Sequence, residues 1–212
     1  MTTTLLYIGS KYIETYLDKH PIDWSDRELA RIGGAGDQAG VPPIPSVKIF
    51  IEQLQARNGE LFTQRDYLFR CWDEWSIANP TWYNGLKDEH KKGLRAKAYR
   101  NFYPSLIDSL HVWSLLSESS AFERCEIDAM KDAVGKTDIT VYANGKPYQI
   151  ALLAGSANAV QCRQYKKTHR NGYDIDCFAV KYPSDRSKGI GNKHWFELRD
   201  FADVFKSANV TP

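Results

Sequence analysis

"GKTDITVYANGKPYQIALLAG", residues 135–155, contains Asn144-Gly145 between two runs of strand-forming residues. A type I′ turn needs positive φ at both central positions, and Asn-Gly supplies them at least cost, so the stretch reads as a β-hairpin. A two-residue turn also fixes the pairing. Ala143 should face Lys146, Val141 should face Tyr148, Thr140 should face Gln149, Ile139 should face Ile150 and Asp138 should face Ala151. Alternation then sets Asp138, Thr140 and Tyr142 on one face with Gln149, Ala151 and Leu153. Ile139, Val141, Tyr148, Ile150 and Leu152 form the opposite face, which is expected to be the core.

Outward from the hairpin, the pattern on its C-terminal side is a helix, SANAVQCRQYKKTHRNG, with Ser156 as its N-cap and Asn171-Gly172 as its exit. The strand DCFAVKY and a short helix in HWFELRDFADVF follow. On its N-terminal side FERCEIDAMKDAV alternates loosely, and SLIDSLHVWSLL before it is an apolar helix that must be buried. That helix belongs to a long stretch, 87–117, with a break expected around Tyr103-Pro104-Ser105. Further helices are expected at Ser46–Gln55, stopping near Asn58-Gly59, and at Thr63–Ile77. In the latter, Tyr67, Phe69, Trp72 and Trp75 read as a core stripe. Residues 1–32 carry two shorter helical pieces.

The chain is thus expected to be α+β, with a helical N-terminal region (1–86) followed by a core with a C-terminal helix (87–212). At 212 residues, 42% hydrophobic and 25% charged, the composition is that of a folded globular protein rather than a disordered one. A formal net charge of +2 gives no global attraction to nucleic acid or anionic membrane, so any basic surface must be local. No apolar run is long enough to cross a bilayer, and the N-terminus lacks a signal-peptide pattern. Cys71, Cys125, Cys162 and Cys177 are scattered without metal-ligand spacing, which points to free thiols in a reducing cytoplasm. The glycines of GGAGDQAGVPPIP, residues 33–45, read as a connection, because helix precedes them and prolines follow where a phosphate-binding helix would start.

The order helix, strand, strand, strand, helix, strand resembles the restriction-endonuclease-like core of the PD-(D/E)XK nuclease superfamily. Gly135-Lys136-Thr137-Asp138 resembles the G-x-x-D motif of its RecB-like branch, and Gln161-Cys162-Arg163-Gln164-Tyr165 matches that branch's Q-x-x-x-Y motif. The likeness covers about residues 100–182. It implies a metal-dependent nuclease acting on DNA, with Mg²⁺ or Mn²⁺ held by Asp138, Gln149 and an acidic residue from the preceding element, Glu126 or Glu123. Gln161 and Tyr165 would support the site or touch DNA. Arg163, Lys167 and Arg170 would contact phosphates from the same basic run, RQYKKTHR.

The chain departs from the family at Ala151, where the motif lysine that positions the attacking water would stand. Lys166 is the first candidate replacement, with Arg163, Lys167 and Lys181 as others. The alternative is a catalytically inactive nuclease-fold module that binds nucleic acid, a nucleotide or a protein partner in a phage, mobile-element or defence complex. Two plainer roles also stand for these residues, Asp138 as a cap at the strand entry and Gln149 as an exposed sheet residue. His111, on the apolar helix, reads as a satisfied core histidine.

Overall fold

A four-stranded mixed sheet organises the C-terminal part of the chain. The computed structural model describes residues 8–22, 46–78, 80–85, 91, 98, 102–127, 138–153, 178–181 and 195–212. The strands are β1 (Arg124–Glu126), β2 (Ile139–Ala143), β3 (Lys146–Leu153) and β4 (Phe178–Lys181), in the spatial order β1-β2-β3-β4. β1, β2 and β3 form an antiparallel meander, and β4 runs parallel to β3. The described helices are α1 (Ser10–Lys19), α2 (Ser46–Ala56), α3 (Gln64–Ala78), α4 (Pro80–Gly85), α5 (Tyr103–Glu118) and α6 (Ala202–Ala208), the last entered through a 3₁₀ turn at Leu198–Phe201. The fold is therefore mixed α+β.

The hairpin has the expected register, with Ala143 opposite Lys146, Thr140 opposite Gln149 and Ile139 opposite Ile150. Asn144 and Gly145 adopt φ of 53° and 70°, as a type I′ turn requires. Two other elements hold this turn. The Glu123 carboxylate accepts the Gly145 N–H, and the Asn144 amide donates to the Ala208 carbonyl at the end of α6. The rings of Phe122 and Phe205 pack with their centroids 5.1 Å apart.

Both faces of the centre of the sheet are covered. Ile139, Val141 and Ile150 are fully buried on one face, but Thr140 and Ala151 on the other are only 1% and 4% exposed. The alternation in the sequence marks the two faces but does not say whether the more polar one is covered, and central strands of mixed sheets commonly are on both sides.

The chain forms two compact units, one of residues 1–14 and 109–212, the other of residues 15–108. In the first, α5 meets the sheet through Trp113, whose indole N–H donates to the Cys125 carbonyl of β1 at 2.9 Å. The start of α1 is held by α5 as well. The Glu118 carboxylate accepts both the Ser10 N–H and the Ser10 hydroxyl, placing negative charge on unpaired amides at a helix N-terminus. Gly9 permits this approach, since a Cβ there would lie 3.3 Å from the carboxylate.

The second unit is built on four aromatic rings. Phe50, Phe62, Tyr67 and Tyr103 lie with centroids 5.0–6.4 Å apart, and all are buried. The buried hydroxyl of Tyr103 donates to the Phe62 carbonyl at 2.6 Å and that of Tyr67 to the Ser46 carbonyl. Burial pushes both phenols above the ordinary tyrosine range.

Helix ends in this unit follow local chemistry. Thr63 and Asp66 cap α3 reciprocally, each side chain accepting the other's N–H. α2 ends where Asn58 and Gly59 take φ of 53° and 86°, with Gly59 N–H on the Leu54 carbonyl and Asn58 N–H on that of Gln55. Phe69 does not belong to the core as expected, being 60% exposed. It lies two residues from Tyr67, about 200° around the helix, so the two rings cannot face the same core. Gln64, Tyr67 and Cys71 take the buried face instead.

Candidate functional site

The sheet register carries Glu126, Asp138 and Gln149 to one face. Glu126 pairs with Thr140 and Thr140 with Gln149, so these three make a row across β1, β2 and β3. Asp138 stands two residues before Thr140 on that same side. Glu126 reaches the face from a strand, not a helix. The parallel register sets Leu153 beside Lys181, so position 181 lies on this face too. The Lys181 side chain is outside the described residues. So are Gln161, Arg163, Tyr165, Lys166, Lys167 and Arg170 in their entirety.

What these carboxylates touch decides their chemistry. Asp138 Oδ2 accepts the Leu152 N–H at 2.6 Å, while the Asp138 N–H donates to the Ile150 carbonyl at 3.0 Å. The side chain thus supplies β3 with an acceptor just where β2 begins. The Glu126 side chain is 13% exposed, and both its oxygens are engaged. Oε2 accepts the Tyr142 hydroxyl at 3.0 Å, and Oε1 pairs with Arg124 Nε at 3.1 Å. The Arg124 guanidinium also lies over the Tyr142 ring, 4.1 Å from its centroid. Sequence reasoning placed Tyr142 on this face but missed Arg124 beside it, because a three-residue strand such as β1 carries no register signal of its own. Glu123, the other acidic candidate, is used at the hairpin turn.

Mg²⁺ and Mn²⁺ need several oxygen donors aimed at one point. Glu126 already gives its two oxygens to Tyr142 and Arg124, and Asp138 gives Oδ2 to the sheet. Among the described residues no three His, Cys, Asp or Glu side chains are grouped to hold a metal ion. The described donors therefore do not fit such a cation as they stand. Ala151, buried at the lysine position, offers no amine.

A second polar group lies between α1 and α5. His111 is 1% exposed, its Nε2 is 3.3 Å from Glu14 Oε1, and its ring lies 4.6 Å from that of Trp195. Lys11 Nζ holds the other Glu14 oxygen at 2.6 Å. Burial alone would raise the Glu14 carboxyl, but hydrogen bonds and charge from Lys11 and His111 outweigh it, so its pKa lies below the ordinary 4.5. The unfolded chain then takes up this proton first, and Glu14 stabilises the fold above that range and ceases to as pH falls below it. Glu14→Gln should accordingly flatten the acid limb of a stability–pH curve measured by urea unfolding.

The described thiols are not poised for chemistry. Burial pushes Cys71 up to about 12 and Cys125 to about 11, the latter partly offset by a hydrogen bond with Ser117, so both are protonated at neutral pH. Both are free. Cys162 and Cys177 lie outside the described residues.

Comparison with protein-family models, with curated proteins and with solved structures gives no match to this chain. Among the described residues no helix is long and apolar enough to cross a membrane.

Proposed function

We propose that this chain is a nuclease-like module that binds nucleic acid through its phosphates without hydrolysing it. The observation that carries this reading is the hydrogen bond from the Leu152 N–H to Asp138. The aspartate of the G-x-x-D motif acts as a backbone acceptor within the sheet, beside a buried alanine where the motif lysine would be. The basic run from Arg163 to Arg170 supplies cations for phosphate contact, a sequence-independent and salt-sensitive attraction. Arg124 adds an exposed guanidinium on the Asp138 face, though Glu126 offsets its charge.

The second reading, a Mg²⁺- or Mn²⁺-dependent nuclease acting on DNA, is favoured by one fact. Glu126, Asp138 and Gln149 share a face of three neighbouring strands, and position 181 shares it with them. In that case the cation would draw Asp138 and Glu126 away from their present partners, and a lysine from 166 or 181 would complete the site.

Labelled single- and double-stranded DNA, followed by fluorescence anisotropy in EDTA and then incubated with Mg²⁺ or Mn²⁺, separates the two. Binding that weakens steeply with salt and with Arg163, Lys166, Lys167 or Arg170 changed to alanine is expected, with the DNA left intact. Cleavage that disappears in Asp138→Asn would establish the second reading instead. Absence of binding at low salt would remove nucleic acid as the partner.

A further inference from the structure

α3 carries a ridge that is complementary to itself. Arg65, Phe69, Asp73 and Ile77 follow one another at intervals of four and are all exposed, Phe69 by 60% and Ile77 by 77%. Residues four apart lie above one another along a helix surface, so the four form one continuous row. Single exposed apolar side chains are ordinary on a protein surface. Two large ones in a row with a cation before the first and an anion between them are a more specific arrangement. The neighbouring charges are already matched within the helix, Arg70 to Glu74 at 2.8 Å. Among the described residues neither Arg65 nor Asp73 makes an ion pair.

The row is balanced about Phe69, with Arg65 four residues before it and Asp73 four residues after. A second copy of α3 running antiparallel, with a two-fold axis at Phe69, would set the two Phe69 rings together. Each Arg65 would then stand opposite the Asp73 carboxylate of the other copy. An isologous contact of this kind satisfies every pair twice. A crossing near 20°, one of the preferred packing angles of helices, keeps residues about 6 Å on either side of the axis within reach of an arginine side chain. A parallel pairing would set Arg65 against Arg65 and Asp73 against Asp73. The charges therefore select the antiparallel arrangement as well as permitting it.

We propose that this ridge is a homodimer interface, with a second copy of the chain as its occupant. The inference is independent of the nucleic-acid reading. One helix crossing buries less than the roughly 1,600 Å² of a standard stable interface, so the dimer should be weak, with a dissociation constant in the micromolar range.

Sedimentation velocity over a wide concentration range tests this directly. Wild type should shift from monomer to dimer as concentration rises. Arg65→Asp alone sets the introduced carboxylate against that of Asp73 at both ends of the contact and should weaken dimerisation at least tenfold. Asp73→Arg alone should do the same by opposing two guanidinium groups. The double exchange, Arg65→Asp with Asp73→Arg, restores both pairs and should recover most of the wild-type affinity. Both exchanged positions are exposed, so circular dichroism should show folded protein in each case. A monomer at every concentration would overturn the proposal, as would a dimer indifferent to the single exchanges. Failure of the double exchange to rescue would also overturn it.

Discussion

Asp138→Ala should destabilise the protein, while Asp138→Asn should largely spare it. The carboxylate accepts the Leu152 N–H at 2.6 Å, at the point where β2 enters the sheet. Hydrogen bonds to charged groups contribute about 1.5–3 kcal/mol. Asp138 is half-buried, so the lower part of that range applies. Alanine removes the acceptor and leaves an amide of β3 unpaired. Asparagine keeps an oxygen in the same place and loses only the charge. Urea unfolding of the three proteins reads this contrast. A metal-binding aspartate gives the opposite pattern: its carboxylate is held at a cost in the absence of the cation, so both variants would be as stable as wild type or more so. Calorimetric titration with Mg²⁺ on the same samples adds a second readout. Tight binding lost equally in both variants would show that Asp138 serves a cation after all.

Phe62→Ala should have the largest effect on stability, about 3–5 kcal/mol. Its ring is 1% exposed and packs against Phe50, Tyr67 and Tyr103, so truncation opens a cavity among rigid neighbours that cannot easily close it. Its carbonyl also accepts the Tyr103 hydroxyl, and a shift of the backbone into the void would cost that bond too. Tyr103→Phe isolates the second contribution: it keeps the packing, removes one buried donor and should cost about 1–2 kcal/mol. If Phe62→Ala proved as stable as wild type in thermal and urea unfolding, the four-ring cluster would not be the core of residues 15–108.

The elements legible in the sequence are those that chemistry fixes within a few residues. Asn144-Gly145 set both turn and register, and Asn58-Gly59 marked the end of α2. The strand in DCFAVKY and the C-terminal helix were likewise visible from composition. The candidate site was legible as positions but not as contacts. That Glu126 shares a face with Gln149 follows from pairing between β1 and β2, which are joined through residues distant from the hairpin turn. That Glu126 serves Tyr142 and Arg124, and Asp138 serves Leu152, depends on that pairing and on which polar atoms the sheet leaves wanting. Periodicity also misplaced Phe69, since a list of aromatics on one helix says nothing of their angular positions until the spacing is checked residue by residue.

The bond between Ser10 and Glu118 has a bearing on how the chain is made. It joins residues 108 apart in sequence, and the unit it belongs to consists of the first 14 residues together with residues 109–212. Everything between is a continuous stretch with its own aromatic core. During synthesis that middle stretch can complete its contacts while the chain is still growing. The first turn of α1 meanwhile has no carboxylate to close on until α5 has emerged. This connectivity favours the middle stretch as the first unit to close, with residues 10–14 able to join theirs only once Glu118 has been made.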